Sequence, residues 1–200
     1  TIGPAIGEDI IKAWNLEKMN EKVLPHNISC GNNINISETV ALLPDEAKPD
    51  LFLWIESVYG YFPDDISKLI SPTACYLIDS HLNLSWHIHW AIQFDYVFIA
   101  QREYLEAFKE AGCKNVFWLP LACDSEIHKK AEREKKYDLS FVGSITGNHQ
   151  RRKSLLEKLS KKVNLHVERS FLRDMAVTFS SSKIVFNNAV KNDLNMRVFE

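Results

Sequence analysis

Polar side chains with catalytic or binding chemistry recur where short, β-rich apolar runs end. Glu56 follows Asp50-Leu-Phe-Leu-Trp-Ile, and Asp79, Ser80 and His81 follow Thr73-Ala-Cys-Tyr-Leu-Ile. Gln101 follows Asp95-Tyr-Val-Phe-Ile-Ala, Gly143 and Ser144 follow Tyr137–Val142, and Asn187 and Asn188 follow Lys183–Phe186. Ligands of parallel α/β sheets bind outside the carboxyl ends of the strands, so these positions are the candidates for chemistry. A carboxylate and an imidazole close together can take a proton from a hydroxyl, which makes Asp79 or His81, with Glu56 next, the candidate general base. For each residue the alternative is a helix cap or a turn.

A second constellation suits an anion. The loop Phe141-Val-Gly-Ser-Ile-Thr-Gly147 separates an expected strand from an expected helix. Glycine lets the backbone approach a phosphate, and the free N–H groups of a helix N-terminus carry partial positive charge. Arg151, Arg152 and Lys153 fall in that helix's first turns, where cations oppose the macrodipole and an anionic ligand would relieve the conflict. The loop is neither G-x-G-x-x-G nor a Walker A sequence, and a tight turn with exposed basic residues is its alternative. Further on, Arg197 and Glu200 stand three apart on one side of an expected helix. Arginine can fork onto phosphate and glutamate can accept from ribose hydroxyls, unless the two simply pair with each other.

Other patterns carry less. His81, His87 and His89 crowd one region, but Leu84–Phe94 reads as a helix, and i, i+2 positions on a helix do not converge on a metal. His81 is expected in a loop. No D-x-D occurs, since Asp64 and Asp65 are adjacent, and no serine or cysteine lies in G-x-S-x-G. The sequons at Asn27, Asn35 and Asn83 have meaning only on a secreted chain.

The elements that position these residues alternate. A helix is expected over about 8–23, with Ile10, Ile11 and Trp14 on one face. Strands follow at 50–56, 73–79, 95–100 and 115–118, with a helix at Arg102–Ala111 stopped by Gly112. A charge-dense stretch, His128–Lys136, reads as a helix end plus linker. Then come strand Tyr137–Val142, a helix over 150–161, strand Val163–Val167, helix Phe171–Ser181, strand Lys183–Phe186 and a helix beginning near Met196. Short strands alternating with helices predict parallel α/β sheets, in domains 1–130 and 131–200. The second domain ends as a helix begins and reads as truncated; Thr1-Ile2 reads as the end of a clipped first strand.

Composition sets the class. At 46% hydrophobic and 25% charged, the 200-residue chain is that of a soluble globular protein, with no apolar run long enough to span a membrane. Four cysteines without C-x-x-C spacing, and no signal peptide, point to a reducing cytoplasm rather than a disulfide framework. Residues 1–127 carry 8 Lys and Arg against 18 Asp and Glu, a net of −10; residues 128–200 carry 16 against 8, a net of +8. The basic half suits an anion or, alternatively, simply has solvated helix faces. Its charges are mixed with glutamate and lack aromatic interleaving, so no nucleic-acid partner is expected.

The stretches PDLFLWIES, PTACYLIDSH, FDYVFIAQREYLEAFKEAG and VFWLPLACDSEIH, then YDLSFVGSI, Arg151-Arg152, SKIVFNNAV and DLNMRVFE, occur in an order that resembles the CgeB-like, spore-maturation type of glycosyltransferase. The resemblance covers about residues 49–200. It implies a GT-B architecture of two Rossmann-like domains facing a cleft, with the acceptor side mainly N-terminal and the nucleotide-sugar side mainly C-terminal. It places Gly143, Ser144, Arg151, Asn187, Arg197 and Glu200 around the donor nucleotide, Arg197 on the diphosphate and Glu200 on the ribose. It places Asp79, His81 and Glu56 toward the reacting sugar. The implied reaction transfers a sugar from a nucleotide-diphosphate sugar to a hydroxyl of a carbohydrate or protein acceptor. No metal or other cofactor is expected, because helix dipoles and basic side chains stabilise the leaving diphosphate.

Two other readings compete. One is a non-catalytic glycosyltransferase-like module that binds a nucleotide or carbohydrate in surface-layer or spore-coat assembly. The other is a receiver-like signalling domain, with Glu8-Asp9 as its acid pair; the strand Asn115–Trp118 leads into Leu-Pro, without the lysine such a domain requires.

Overall fold

A computed structural model describes residues 2–3, 28–29, 33–56, 62–146, 149–189 and 194–200. The expected helix over 8–23, and with it Glu8-Asp9, lies outside the described residues. The chain divides into two compact units, Thr1–Pro120 and Leu121–Glu200.

In the first unit, β1 (Ile2–Gly3) and β2 (Ile28–Ser29) form a short parallel pair. β3 (Asn33–Asn35) runs straight into α1 (Ile36–Ala41), where the Asn35 side chain caps the helix by accepting from the Glu38 amide at 3.1 Å. The main sheet is built from β4 (Phe52–Ile55), β6 (Thr73–Leu77), β7 (Tyr96–Ile99) and β8 (Val116–Trp118), parallel and in that order. β5 (Phe62–Asp64) pairs separately with β3. The helix α2 (Ser80–Ala91) joins β6 to β7, and α3 (Leu105–Glu110), preceded by a 3-10 turn, joins β7 to β8. β6 is buried along nearly its whole length, as a central parallel strand must be. Around it pack Trp54, Cys75, Leu77, Ala91, Val97 and Phe108. Trp54 stacks on Phe94 at 5.7 Å between ring centres, and Phe62 stacks on Trp90 at 5.3 Å. The Asp95 carboxylate accepts from the amide and hydroxyl of Thr73, both at 2.9 Å, fixing the start of β6 against the start of β7. These strands fall inside the expected runs. The parallel pair β3–β5 was not expected, since Pro63 within β5 argues against a strand away from an edge.

The second unit has three parallel strands in the order β10-β9-β11: β9 (Tyr137–Val142), β10 (Leu165–Glu168) and β11 (Ser182–Val185). α4 (Gln150–Ser160) connects β9 to β10, and α5 (Leu172–Ser180) carries the chain back across β9 to β11. Leu139, Ser140, Phe141 and Val142 bury β9 in the middle. This is a Rossmann-like α/β arrangement, and its strand order reverses at β9.

Three expectations are corrected. His81 is not in a loop: α2 begins at Ser80, because Asp79 takes a left-handed conformation (φ 57°) and its carbonyl accepts from the Leu82 amide at 2.8 Å. A kink at Asn83 then separates this first turn from the rest of the helix. Residues 129–136 form no helix; Lys135 instead donates to the carbonyls of Ser180 and Ser182, at 2.6 and 2.8 Å. Residues 121–136 belong to the second compact unit. The segment at Met196–Val198 is a 3-10 turn. Among the described residues no helix is long and apolar enough to cross a membrane.

Candidate functional site

Each unit gathers polar groups at the carboxyl ends of its strands. In the first, the Glu56 amide donates to the Tyr76 carbonyl at 3.0 Å, extending the β4–β6 ladder and setting the carboxylate beside the end of β6. Glu56 Oε2 accepts from the Ile78 amide at 3.0 Å, and Oε1 lies 3.0 Å from His87 Nε2. The other ring nitrogen, Nδ1, lies 3.0 Å from Ser80 Oγ, while the Ser80 amide donates to Gln101 Oε1 at 3.1 Å. His87 thus bridges the Glu56 carboxylate and the Ser80 hydroxyl through its two ring nitrogens. Ser80, His87 and Gln101 are all buried.

The order serine, histidine, carboxylate is that of a hydrolase relay. Ser80, however, has no exposed surface, and a nucleophile must be reached by its substrate. The chain of bonds is instead a brace that locks three strand ends to α2. It unites three expected strand-end residues, Glu56, Ser80 and Gln101, and holds Glu56 in place as a structural acceptor. Asp79 is exposed in the turn next to Ser80, and His81 is half-buried in the same turn. The histidine that closes the brace, His87, was read only as a poor metal ligand. Its signal was its spacing: it follows Ser80 by seven, two helical turns on the same face.

In the second unit, Gly143 follows β9 and its amide donates to the Glu168 carbonyl at 3.0 Å. A Cβ there would meet the Phe141 ring at 3.0 Å, so a larger residue would have to displace that ring. Residues 143–146 and 167–169 line an open recess of about 310 Å³. Behind the loop stands Arg152 of α4, only 9% exposed. It donates to the Ser144 carbonyl at 2.6 Å and, through Nε and Nη2, to the Asn188 carbonyl at 3.2 and 2.7 Å. Its guanidinium lies 5.3 Å over the Phe141 ring. It thus ties the loop after β9 to the loop after β11, at the crevice where the strand order reverses. Among the described residues no carboxylate pairs with it. Burial first, and the nearby Arg197 charge second, push its pKa below the ordinary arginine value. Sequence analysis grouped Arg152 with exposed Arg151 and Lys153. The missed signal is that Arg152, Leu155, Leu156 and Leu159 share the inward face of α4.

The remaining expected residues are engaged with one another. Arg197 donates to Glu200 Oε2 at 2.6 Å and also contacts the Met175 sulfur, while Glu200 Oε1 lies 4.0 Å from His128 Nε2. Asn187 and Asn195 exchange side-chain amide hydrogen bonds at 2.9 and 3.3 Å. Arg151 is exposed. Gly143 and Ser144 line the recess. Glu168, which lines the same recess, is absent from the expected residues although it directly follows the expected strand Val163–Val167, as Glu56 and Gln101 follow theirs. Among the described residues no group of histidine, cysteine or carboxylate side chains could hold a metal ion.

No model of a known protein family matches the chain, and no curated protein matches it.

Proposed function

We propose that the second unit binds the diphosphate of a nucleotide sugar and that the chain is a glycosyltransferase of GT-B type, with its two units as the two Rossmann-like halves. The observation that carries this reading is Arg152: a buried cation with no carboxylate partner among the described residues, fixed behind a glycine loop at the strand-order reversal. An anion at the loop lowers the cost of that buried charge, and the N-terminus of α4 adds partial positive charge to the same place. The resemblance of FVGSI, SKIVFNNAV and DLNMRVFE to the CgeB-like glycosyltransferases supports the same assignment.

In the reaction, an acceptor hydroxyl attacks the anomeric carbon of the donor sugar, the bond to the diphosphate oxygen breaks, and the nucleoside diphosphate leaves with the electron pair. Field and dipole stabilise the leaving group. Asp79 or His81 takes the acceptor proton if configuration inverts; Glu56 is committed to the brace.

A second reading is favoured by the way the expected ligands pair with each other. Arg197 with Glu200, and Asn187 with Asn195, are satisfied without a nucleotide. A module that binds a nucleotide or carbohydrate without turnover fits that pairing.

The test is calorimetry of the chain with UDP, GDP, dTDP and CDP, first without and then with Mg²⁺. Metal-independent binding of at least one is expected, and binding of none overturns the proposal. Release of the bound diphosphate from its sugar nucleotide in the presence of acceptor separates the transferase from the non-catalytic module.

A further inference from the structure

We infer that Glu168 accepts a ribose hydroxyl of the bound nucleotide, and that it, rather than Glu200, orients the nucleoside in the recess beside Gly143. The inference rests on the nucleotide-binding reading above.

Glu168 is the last residue of β10, in register with Val142, so its backbone adjoins the glycine loop. Glu168 lines the recess, and its carboxylate is held from three sides. The hydroxyls of Ser170 and Thr178 each donate to Oε1 at 2.6 Å, and His166 Nε2 lies 2.9 Å from Oε2. His166 is itself oriented by stacking on Tyr137, with ring centres 4.2 Å apart. Partial burial pushes the Glu168 carboxyl up, but the two hydroxyls and the imidazole together outweigh this and hold it below the ordinary glutamate value. The group is therefore ionised at neutral pH. Its side chain is 27% exposed, which leaves Oε2 within reach of a ligand.

A carboxylate has about four acceptor positions, and three of these are taken. The remaining one needs a donor. A phosphate oxygen has no proton to give and is repelled; a sugar hydroxyl is suited. The recess is thus polarised along its length, with the glycine loop and Arg152 favouring the phosphates and Glu168 favouring the ribose. In open α/β sheets an acid at the end of the second strand is well placed for this role, because the phosphate-binding turn follows the first strand next to it. Glu200, by contrast, is bound to Arg197 at 2.6 Å.

The test compares UDP, GDP, dTDP and CDP, then the 2′-deoxy and 2′,3′-dideoxy forms of whichever ribonucleotide binds. The wild-type chain is expected to bind the ribonucleotide roughly ten- to a hundredfold more tightly than the form lacking the contacted hydroxyl, the range of a hydrogen bond to a charged group. Glu168→Gln is expected to remove most of that discrimination while still binding the deoxy form, and Glu200→Gln to preserve it. Thr178→Val, which frees one of the hydroxyl anchors, checks that any loss does not follow from unfolding: it should retain a cooperative melt and partial discrimination. Equal binding of ribo and deoxy forms by the wild type overturns the assignment of Glu168 while leaving the nucleotide reading intact. Discrimination lost in Glu200→Gln but kept in Glu168→Gln overturns it in favour of Glu200. No binding of any nucleotide overturns both.

Discussion

The two units solve one construction problem with different materials. Each must hold several strand-end loops in register, and each does so with one buried basic side chain from the helix that follows the central strand. In the first unit His87 meets the side chains of Glu56 and Ser80, and the Ser80 amide meets Gln101. In the second, the hydrogen bonds of Arg152 among the described residues go to main-chain carbonyls, those of Ser144 and Asn188. In the first unit the basic side chain has a carboxylate partner, Glu56, 3.0 Å away. A guanidinium held by carbonyls has no carboxylate counter-charge among the described residues, and that difference is what the proposed anion site in the second unit rests on.

Removing Arg152 should have the largest effect. Arg152→Met leaves two carbonyls without their donor and empties the crevice, at a cost of about 3 kcal/mol, and should abolish nucleotide binding. Hydrogen exchange at β9 and β11 reads the first effect and calorimetry the second. Arg152→Lys keeps the charge but loses the fork, so it should recover only part of the stability.

His87→Leu should cost somewhat less, about 2 kcal/mol, since it fills the space and Glu56 is partly exposed and can turn to water. All five tryptophans precede residue 121, so tryptophan fluorescence during urea unfolding follows the first unit directly. Nucleotide binding should survive this substitution; its loss would mean that the brace and the anion site are not separate devices.

The units should also differ in the side of neutrality on which they weaken. Burial pushes up the thiol of Cys75, with the neighbouring Cys113 adding to the effect, and burial pushes up Cys113 as well. An unfolded thiol ionises near pH 9.0 while the folded one keeps its proton, so the first unit loses stability as pH rises above that value. Glu168 runs the other way. Its folded pKa lies below the ordinary 4.5, so its contribution is complete above that pH and disappears as pH falls through the folded value. Urea unfolding at pH 3.5, 7 and 10 checks both, with tryptophan emission for the first unit and NMR signals of residues 137–185 for the second.

Two smaller effects sharpen the contrast. Gly143→Ala presses on the Phe141 ring, over which Arg152 lies, and should cost about 1 kcal/mol with weaker nucleotide binding. Arg151→Ala, at an exposed position, should leave stability within about 0.5 kcal/mol and lower affinity only at low salt. Melting curves and calorimetry at two salt concentrations measure these.

The alternation of apolar runs and amphipathic stretches made the strands legible, because β6 and the last four residues of β9 are buried and mainly apolar, with Thr73 and Ser140 as the polar exceptions. The strand-end rule then found Glu56, Ser80, Gln101, Gly143, Ser144 and Asn188. What it could not find were the residues that connect them. His87 and Arg152 lie inside helices, where a polar residue on the inward face reads like a surface one until its partners, 31 and 36 residues away, are placed. Glu168 was legible too, since it directly follows the expected strand Val163–Val167 and the same strand-end rule reaches it. The beginning of α2 was misplaced for a different reason: Asp79 adopts a left-handed conformation that only a small fraction of non-glycine residues take.

The choice of partners for Arg152 bears on how the second unit can change over evolutionary time. Every amino acid has a main-chain carbonyl, so the bonds from Arg152 place no demand on which side chains occupy positions 144 and 188. Those positions are free to drift and to alter what the crevice admits, while its frame persists. The brace in the first unit has no such freedom, because Glu56, Ser80 and Gln101 are held by atoms that belong to their own side chains or touch them. Variation in ligand preference should therefore accumulate around Arg152, with the turn beneath Asp79 held constant.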